Sequence, residues 1–381
     1  DQFLPVSPAS ADCEALEARE SCVFDQSLIH LTQKLQYVRI EFRMQHQTLV
    51  PATGHEITQV AGVIRDDELW IAAFSAAELS LHRIVTEADL FDDSKSTSLE
   101  TVKVPMQQPI KEDSVFGIFL PELGRQLYVL GNNGSFKRYE LINWGVSKLR
   151  ESKQLLEQGQ IECAQFMAGR NSLAVGDSLG NLRVFFLCRP ENSLSADGLK
   201  LVCAHQFNLG PAKLSALACP AGERVIAVVD EQKNLSLLQI TTERVLAKVQ
   251  LQVSAEQLCF FPLTDGILVS SSAGHESFAL DLAHSDASLS SLLAKSWYEG
   301  YPEAIHMWQS SSASDSTEPK LSLIPLVFGT LKGAFYSILF AGPLAILAAI
   351  YTSEFLKSKS RTRVKATIEF MASLPSVVLG F

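Results

Sequence analysis

Leu323–Tyr351 reads LIPLVFGTLKGAFYSILFAGPLAILAAIY, and no other stretch limits the fold so sharply. From Gly333 to Ile350, eighteen residues pass without a formal charge. A hydrocarbon core takes about 20 mostly apolar residues at about 1.5 Å rise each, so the stretch is long enough to cross a bilayer as a helix. Lys332 is the only charge inside it. It lies about a third of the way in, where a lysine either snorkels to the interface or faces a protein interior. Pro343 would break a soluble helix, but in a bundle neighbouring helices satisfy the carbonyl it frees. The competing reading is a buried core helix of a large soluble protein. Such helices seldom run this far without a polar stripe, so the spanning reading is preferred.

The residues that follow give the helix a direction. Lys357, Lys359, Arg361, Arg363 and Lys365 fall within nine residues, and short basic loops stay in the cytoplasm. Residues 1–322 are then expected on the opposite side of the membrane. Residues 352–381 hold five basic and two acidic residues, a net +3, whereas the whole chain is −10. The remainder is therefore strongly acidic, which argues against nucleic acid as a partner. A second hydrophobic segment, VKATIEFMASLPSVVLGF, begins at Val364 and is cut off at Phe381. With a chain that starts at Asp1, this is expected to be a piece of a longer polypeptide.

Between Leu35 and Leu282 the pattern is all-β. Short runs of Val, Ile, Leu and Phe alternate with Gly, Asn and Asp. One strand–turn–strand unit recurs at Asp66–Ile84, Gly124–Leu141, Arg170–Leu187, Gly222–Ile240 and Thr264–Leu282. The first strands begin near Leu69, Leu127, Leu173, Ile226 and Ile267, giving spacings of 58, 46, 53 and 41. Propeller blades of the WD40 kind run about 40–45 residues around such a hairpin. The spacings are irregular and the Trp-Asp signature is missing. A degenerate, WD40-like β-propeller of five to seven blades is the expectation, with a β-sandwich or two smaller β domains as the alternative. The expected organisation is a linker with a helical lead-in at 1–35, the β domain at 36–290, a connector at 291–322 and a membrane region at 323–381. That region comprises a helix at 323–351, a cytoplasmic loop at 352–364 and a truncated helix at 365–381.

Several apparent motifs carry no chemistry. Gly176-Asp177-Ser178-Leu179-Gly180 matches the hydrolase elbow G-x-S-x-G, but that elbow needs a helix after it and NLRVFFL is strand-like. Gly131-Asn132-Asn133-Gly134 is a hairpin turn in which Asn and Gly supply positive φ. No helix N-terminus follows to hold a phosphate. The eight histidines are scattered without an H-x-x-x-H pair, and no Walker A sequence occurs. No catalytic, cofactor or metal-binding residues are expected. Among seven cysteines, Cys13 and Cys22 either form a disulfide in an oxidising compartment or stay free. Cys163, Cys188, Cys203, Cys219 and Cys259 lie in or beside apolar runs and are expected to be small core residues. DCEALEARESCVFD, from Asp12, is helix-like with Asp12 as a candidate N-cap.

Ser285–Lys320 returns the chain to the membrane. Trp297, Tyr298, Tyr301 and Trp308 leave two readings open: an interfacial aromatic belt or contact surface, or packing on the base of the β domain.

The C-terminal residues resemble a known family. Phe328-Gly329-Thr330, an apolar helix with Pro343, a basic turn, and then Glu369, Ala372, Pro375, Ser376, Val378 and Gly380 form the pattern F-G-T … E-x-x-A-x-x-P-S-x-V-x-G. This resembles the phosphate ABC-transporter permease of the PstC type. WYEGYPEAIHMWQSS (Trp297–Ser311) and EPKLSLIPLVFGT resemble its long proteobacterial variants, which carry a large periplasmic insertion between their first and second membrane helices. The close match covers about Trp297–Phe381. The resemblance implies a MetI-like helical permease domain in the bacterial inner membrane, passing it several times. It implies a second permease subunit, a cytoplasmic ATPase dimer that uses ATP, and a periplasmic phosphate-binding protein as partners, together with membrane lipid. This chain would bind no cofactor and would not be an enzyme. The other reading is a membrane-anchored periplasmic sensor or scaffold with a β-propeller interaction domain.

Overall fold

The computed structural model describes residues 2–5, 21–24, 27–31, 37–41, 56–65, 68–75, 78–88, 95–104, 114–122, 125–143, 146–191, 195–282, 284–309 and 318–374. The chain divides into two units, Asp1–Gly54 and His55–Phe381. The first unit holds an antiparallel sheet of β1 (Gln2–Pro5), β2 (Ser21–Phe24), β3 (Ser27–Leu31) and β4 (Tyr37–Glu41), in the order β1-β4-β3-β2. Strand structure therefore starts well before residue 36, inside the stretch expected to be a linker and helical lead-in. The expected helix from Asp12 is corrected at its end. Ser21–Phe24 pairs with Ser27–Leu31, because Cys22, Val23 and Phe24 suit a pleated surface better than a helix.

The second unit is built from antiparallel meanders in chain order. The first is β5 (Gln59–Arg65), β6 (Glu68–Ser75), β7 (Glu78–Ala88) and β8 (Lys95–Val104). Next come β9 (Val115–Phe119), β10 (Gln126–Gly131), β11 (Ser135–Asn143) and β12 (Val146–Gln154). The third sheet is β13 (Ile161–Phe166), β14 (Leu173–Asp177), β15 (Asn181–Cys188) and β16 (Lys200–Asn208). The fourth is β17 (Leu214–Ala218), β18 (Val225–Asp230), β19 (Asn234–Gln239) and β20 (Arg244–Gln250). The last has three strands among the described residues: β21 (Gln257–Phe260), β22 (Gly266–Ser271) and β23 (Gly274–Ala279). The five hairpins read from the sequence are the second and third strands of these five sheets.

The sheets stack face to face in chain order. One apolar cluster joins Phe74 and Leu81 to Leu127 and Tyr139, and the next joins Leu130 and Phe136 to Val175 and Phe185. A third joins Ala174 and Val184 to Ile226 and Leu238, and a fourth joins Val229 and Leu237 to Ile267 and Val269. A sheet covered on both faces needs apolar residues on both, which explains the unbroken runs QLYVLG and LAVGD, buried throughout. Fourth strands are only partly covered: β16 buries Leu201 and Phe207 in these clusters, whereas β20 is largely exposed. First strands of neighbouring sheets meet, β5 beside β9, β13 beside β17 and β17 beside β21.

The turns follow local chemistry. Asp177 Oδ1 accepts from the backbone N–H of Leu179 (3.0 Å) and Asn181 (2.8 Å), and Gly180 sits at φ +77°. One sheet later, Asp230 Oδ1 accepts from Asn234 N at 2.8 Å. The G-x-S-x-G stretch is thus a hairpin turn, and so is Asn132–Gly134, with Gly134 at φ +83°.

After the sheets come a short helix (Leu289–Leu293), a two-residue hairpin of β24 (Trp308–Gln309) and β25 (Lys320–Leu321), and an apolar helix (Ile324–Ile350). Pro343 lies inside the apolar helix, which continues as one π turn, Tyr351–Phe355. The expected loop at 352–364 is corrected. The chain breaks at Leu356 and Lys357 and re-enters a helix at Ser358 that ends at Ser373. Lysine, arginine and alanine are good helix formers, so a basic run is no obstacle. The second apolar segment is corrected at its start for the same reason.

Candidate functional site

The residues that hold the connector to the sheets form a polar site at one end of the third and fourth sheets. Ser172 and Arg224 lie just before β14 and β18, while Thr241 and Glu243 lie between β19 and β20. In an antiparallel meander the first-to-second and third-to-fourth turns share one end of the sheet. The connector packs against that end of the third and fourth sheets. Glu299 accepts from Arg224 Nη2 and, at 2.8 Å, from Ser172 Oγ. Arg224 Nη1 also donates to Ser172 Oγ at 3.2 Å. Glu318, itself buried, accepts from Thr241 Oγ1 through one oxygen and from the Glu299 backbone N–H, 2.9 Å, through the other.

His205, buried on β16, completes the clamp. Its Nε2 donates to the Trp297 carbonyl at 3.0 Å, and its Nδ1 lies 3.0 Å from Glu243 Oε1. The His205 hydrogen bond holds the Glu243 carboxyl below its ordinary range, against the opposing effect of burial. The connector also closes on itself. Leu323 N donates to Leu292 O at 2.8 Å and Ser322 N donates to Met307 O at 3.0 Å, so the apolar helix starts from an anchored frame.

Of the four connector aromatics, Trp297 packs on the sheets and Tyr298 is buried, while Tyr301 is half-buried and Trp308 exposed. Trp297 meets Phe186 edge to face at 6.4 Å, and its Nε1 donates to Tyr301 O at 2.8 Å. Tyr298 is buried, which pushes its hydroxyl pKa up against the effect of hydrogen bonds with Ser296 and Leu321. Tyr301 lies under Lys320, whose Nζ is 5.3 Å from the ring centre. Trp308 remains partly exposed on its short strand. Arg224, Ser172, Glu299, Glu318, Thr241, His205 and Glu243 were not singled out from the sequence. Arg224 and Glu299 are 75 residues apart and no local pattern links them.

A second candidate is a cavity of about 730 Å³. It is lined by Phe116 on β9, Cys163 on β13, Ala216 on β17, Glu256 and Leu258 beside and on β21, and His275 on β23. Hydrogen bonds from Ser272 hold Glu256 below its ordinary pKa. Among the described residues no cluster of His, Cys, Asp and Glu has the arrangement of a metal site.

The helix residues singled out from the sequence lie apart from this clamp. Phe328, Gly329 and Thr330 are in the first turns of the apolar helix, where Thr330 Oγ1 donates to Leu326 O at 2.9 Å. Lys332 Nζ sits 5.9 Å from the Tyr336 ring centre. Glu369 pairs with Lys365 at 3.9 Å in the basic helix that also carries Ala372. Pro375, Ser376, Val378, Gly380 and Cys13 lie outside the described residues, and the Cys13–Cys22 pairing with them. Cys163 and Cys188 are buried as expected of core residues, but Cys203 and Cys259 are exposed, Cys203 on a fourth strand beside a register shift and Cys259 on a strand whose alternate positions face outward.

No protein-family model matches the chain. Over 65 residues it is 34% identical to the probable ABC transporter permease protein YqgH of Bacillus subtilis (strain 168). That stretch is 17% of this chain and 21% of the permease, so the chain spans about a fifth of the length of the curated relative it matches. Part of this chain is permease-like. Among the described residues one helix, Ile324–Phe355, is long and apolar enough to cross a membrane, and none of its apolar window is buried in the protein. A solved protein from Lactobacillus plantarum superposes with a TM-score of 0.41 at 12% identity, over 68% of this chain and 74% of that one. That likeness is too low to bear on fold or function.

Proposed function

We propose that this chain belongs to the permease subunit of a bacterial ABC importer for inorganic phosphate, of the PstC type. Residues 1–322 lie in the periplasm, with a degenerate β-propeller within residues 36–290, and the C-terminal region enters a MetI-like helical domain in the inner membrane. The observation that carries this reading is the 65-residue similarity to a permease in a chain with an exposed membrane-length helix. The stacked meanders with adjacent first strands support the propeller. The permease has no covalent chemistry of its own. A second permease subunit and a cytoplasmic ATPase dimer complete the importer, ATP is spent on the ATPase chains, and a periplasmic binding protein delivers phosphate. The net acidic β domain repels free phosphate and serves as a docking or regulatory surface.

The test is phosphate uptake in cells whose β sheets (residues 2–282) are replaced by a flexible linker, beside calorimetry of the purified whole chain in detergent with phosphate. Weakened but retained uptake, with no phosphate binding by the chain alone, is expected. Micromolar binding by the chain alone would overturn the docking role. The second reading is a membrane-anchored sensor or scaffold, favoured by the single membrane-length helix among the described residues. Co-purification of an ATPase with the chain separates the two.

A further inference from the structure

The basic helix Ser358–Ser373 does not continue the apolar helix. Leu356 and Lys357 adopt extended ψ values of 133° and 145°, so the chain changes direction there. The new helix is tied to the end of the old one by Arg361 Nε, which donates to Thr352 O at 3.1 Å. Val364, Ile368 and Met371 recur at i, i+4 and i+7 and therefore share one face of this helix. Ile368 and Met371 are each about half exposed. Arg361 and Lys365 form a neighbouring i, i+4 row, and Lys359 and Arg363 form another. The helix holds too many charges to join the membrane-length helices, yet it begins directly where such a helix ends.

We propose that Ser358–Ser373 lies along the membrane surface, with Val364, Ile368 and Met371 in the acyl boundary and the basic rows on anionic lipid headgroups. This rests on the reading of Ile324–Ile350 as a membrane helix. Two features of the helix select the lipid surface as occupant. It is continuous with the spanning helix, which fixes it at headgroup depth, and its positive rows complement an anionic leaflet. The long Lys and Arg stems reach around the helix to the headgroups while the apolar face stays down.

The experiment is hydrogen–deuterium exchange of the whole chain in nanodiscs of pure phosphatidylcholine and of phosphatidylcholine mixed with phosphatidylglycerol. Amides of 358–373 exchange several-fold more slowly in the anionic discs. The difference shrinks at high salt and vanishes in the variant Lys359→Gln, Arg361→Gln, Arg363→Gln and Lys365→Gln. Equal protection of 358–373 in both lipids overturns the proposal, because the segment is then a second span or is held by protein. Protection that arises only when a soluble acidic protein is added overturns it too. Amides of 324–350 report the underlying reading separately. If they exchange freely in either disc, the membrane helix itself fails.

Discussion

Arg224 and Glu299 join the connector to the fourth sheet from buried and half-buried positions. Removing one partner of such a pair strands a charge away from water. Arg224→Ala is expected to cost about 3 kcal/mol, read as a lower denaturation midpoint of the whole chain. His82 is fully buried between Ser80 Oγ and Thr101 Oγ1, each 2.9 Å from a ring nitrogen, and burial lowers its pKa. The unfolded chain therefore takes up this proton at a higher pH than the folded one. The stabilising contribution is present above the unfolded value of about 6.5 and is lost as pH falls below it. Between about pH 7.5 and about pH 5.5, the thermal midpoint should fall more steeply in the parent chain than in His82→Gln. Burial pushes the Cys163 thiol up to about 12, while Cys259 is exposed. A maleimide should label Cys259 promptly in the folded chain and reach Cys163 only on unfolding. Equal rates would place Cys163 outside the core.

At the scale of elements, the repeated turn is Asp-x-x-x-Asn: Asp177 to Asn181 and Asp230 to Asn234. In each, the Asn amide also donates to the second oxygen of the Asp, at 3.0 Å and 2.8 Å. The carboxylate thereby ties the start of the third strand to the end of the second. Gly180 is required in its turn on two counts. Its φ is +77°, and a Cβ there would lie 1.9 Å from Gly210 O, a backbone atom that cannot swing aside. Gly180→Ala is expected to lose more than about 1 kcal/mol, measured by chemical denaturation. This turn was legible in the sequence, because Gly and Asn beside apolar runs are a local signal. The basic helix was less so. Its start at Ser358 depends on where the chain breaks after the π turn, and neither periodicity nor hydropathy marks that residue.

For the whole molecule, charge and hydropathy are divided along the chain. The acidic sheets precede the apolar helix and the basic residues follow it. The connector makes this division mechanical. The clamp around Glu299 and Glu318 leads through Ser322 and Leu323 into the apolar helix, so the third and fourth sheets and the helix start are held together. On the membrane reading, Cys259 and a cysteine introduced at Ser358 face opposite compartments. An impermeant thiol reagent added to intact cells should label Cys259 and spare Ser358→Cys until the cells are opened. Labelling of both from outside would refute the orientation.

Residues 333–350 determined a helix by themselves, because eighteen uncharged and mostly apolar residues leave little choice of solvent. The five hairpins were fixed at the same level, since strand period and turn sterics act within a few residues. The side on which Trp297 packs was decided only by the folded chain, which brings Phe186 and His205 from far upstream. The outward face of Cys259 was decided there too, because an apolar run does not say which of its alternate positions will be covered. The clamp is the clearest case. Ser172 and Glu299 are 127 residues apart, and Thr241 and Glu318 are 77 apart. Their ion pairs and hydrogen bonds form only once the stacked sheets present one common end to the returning chain.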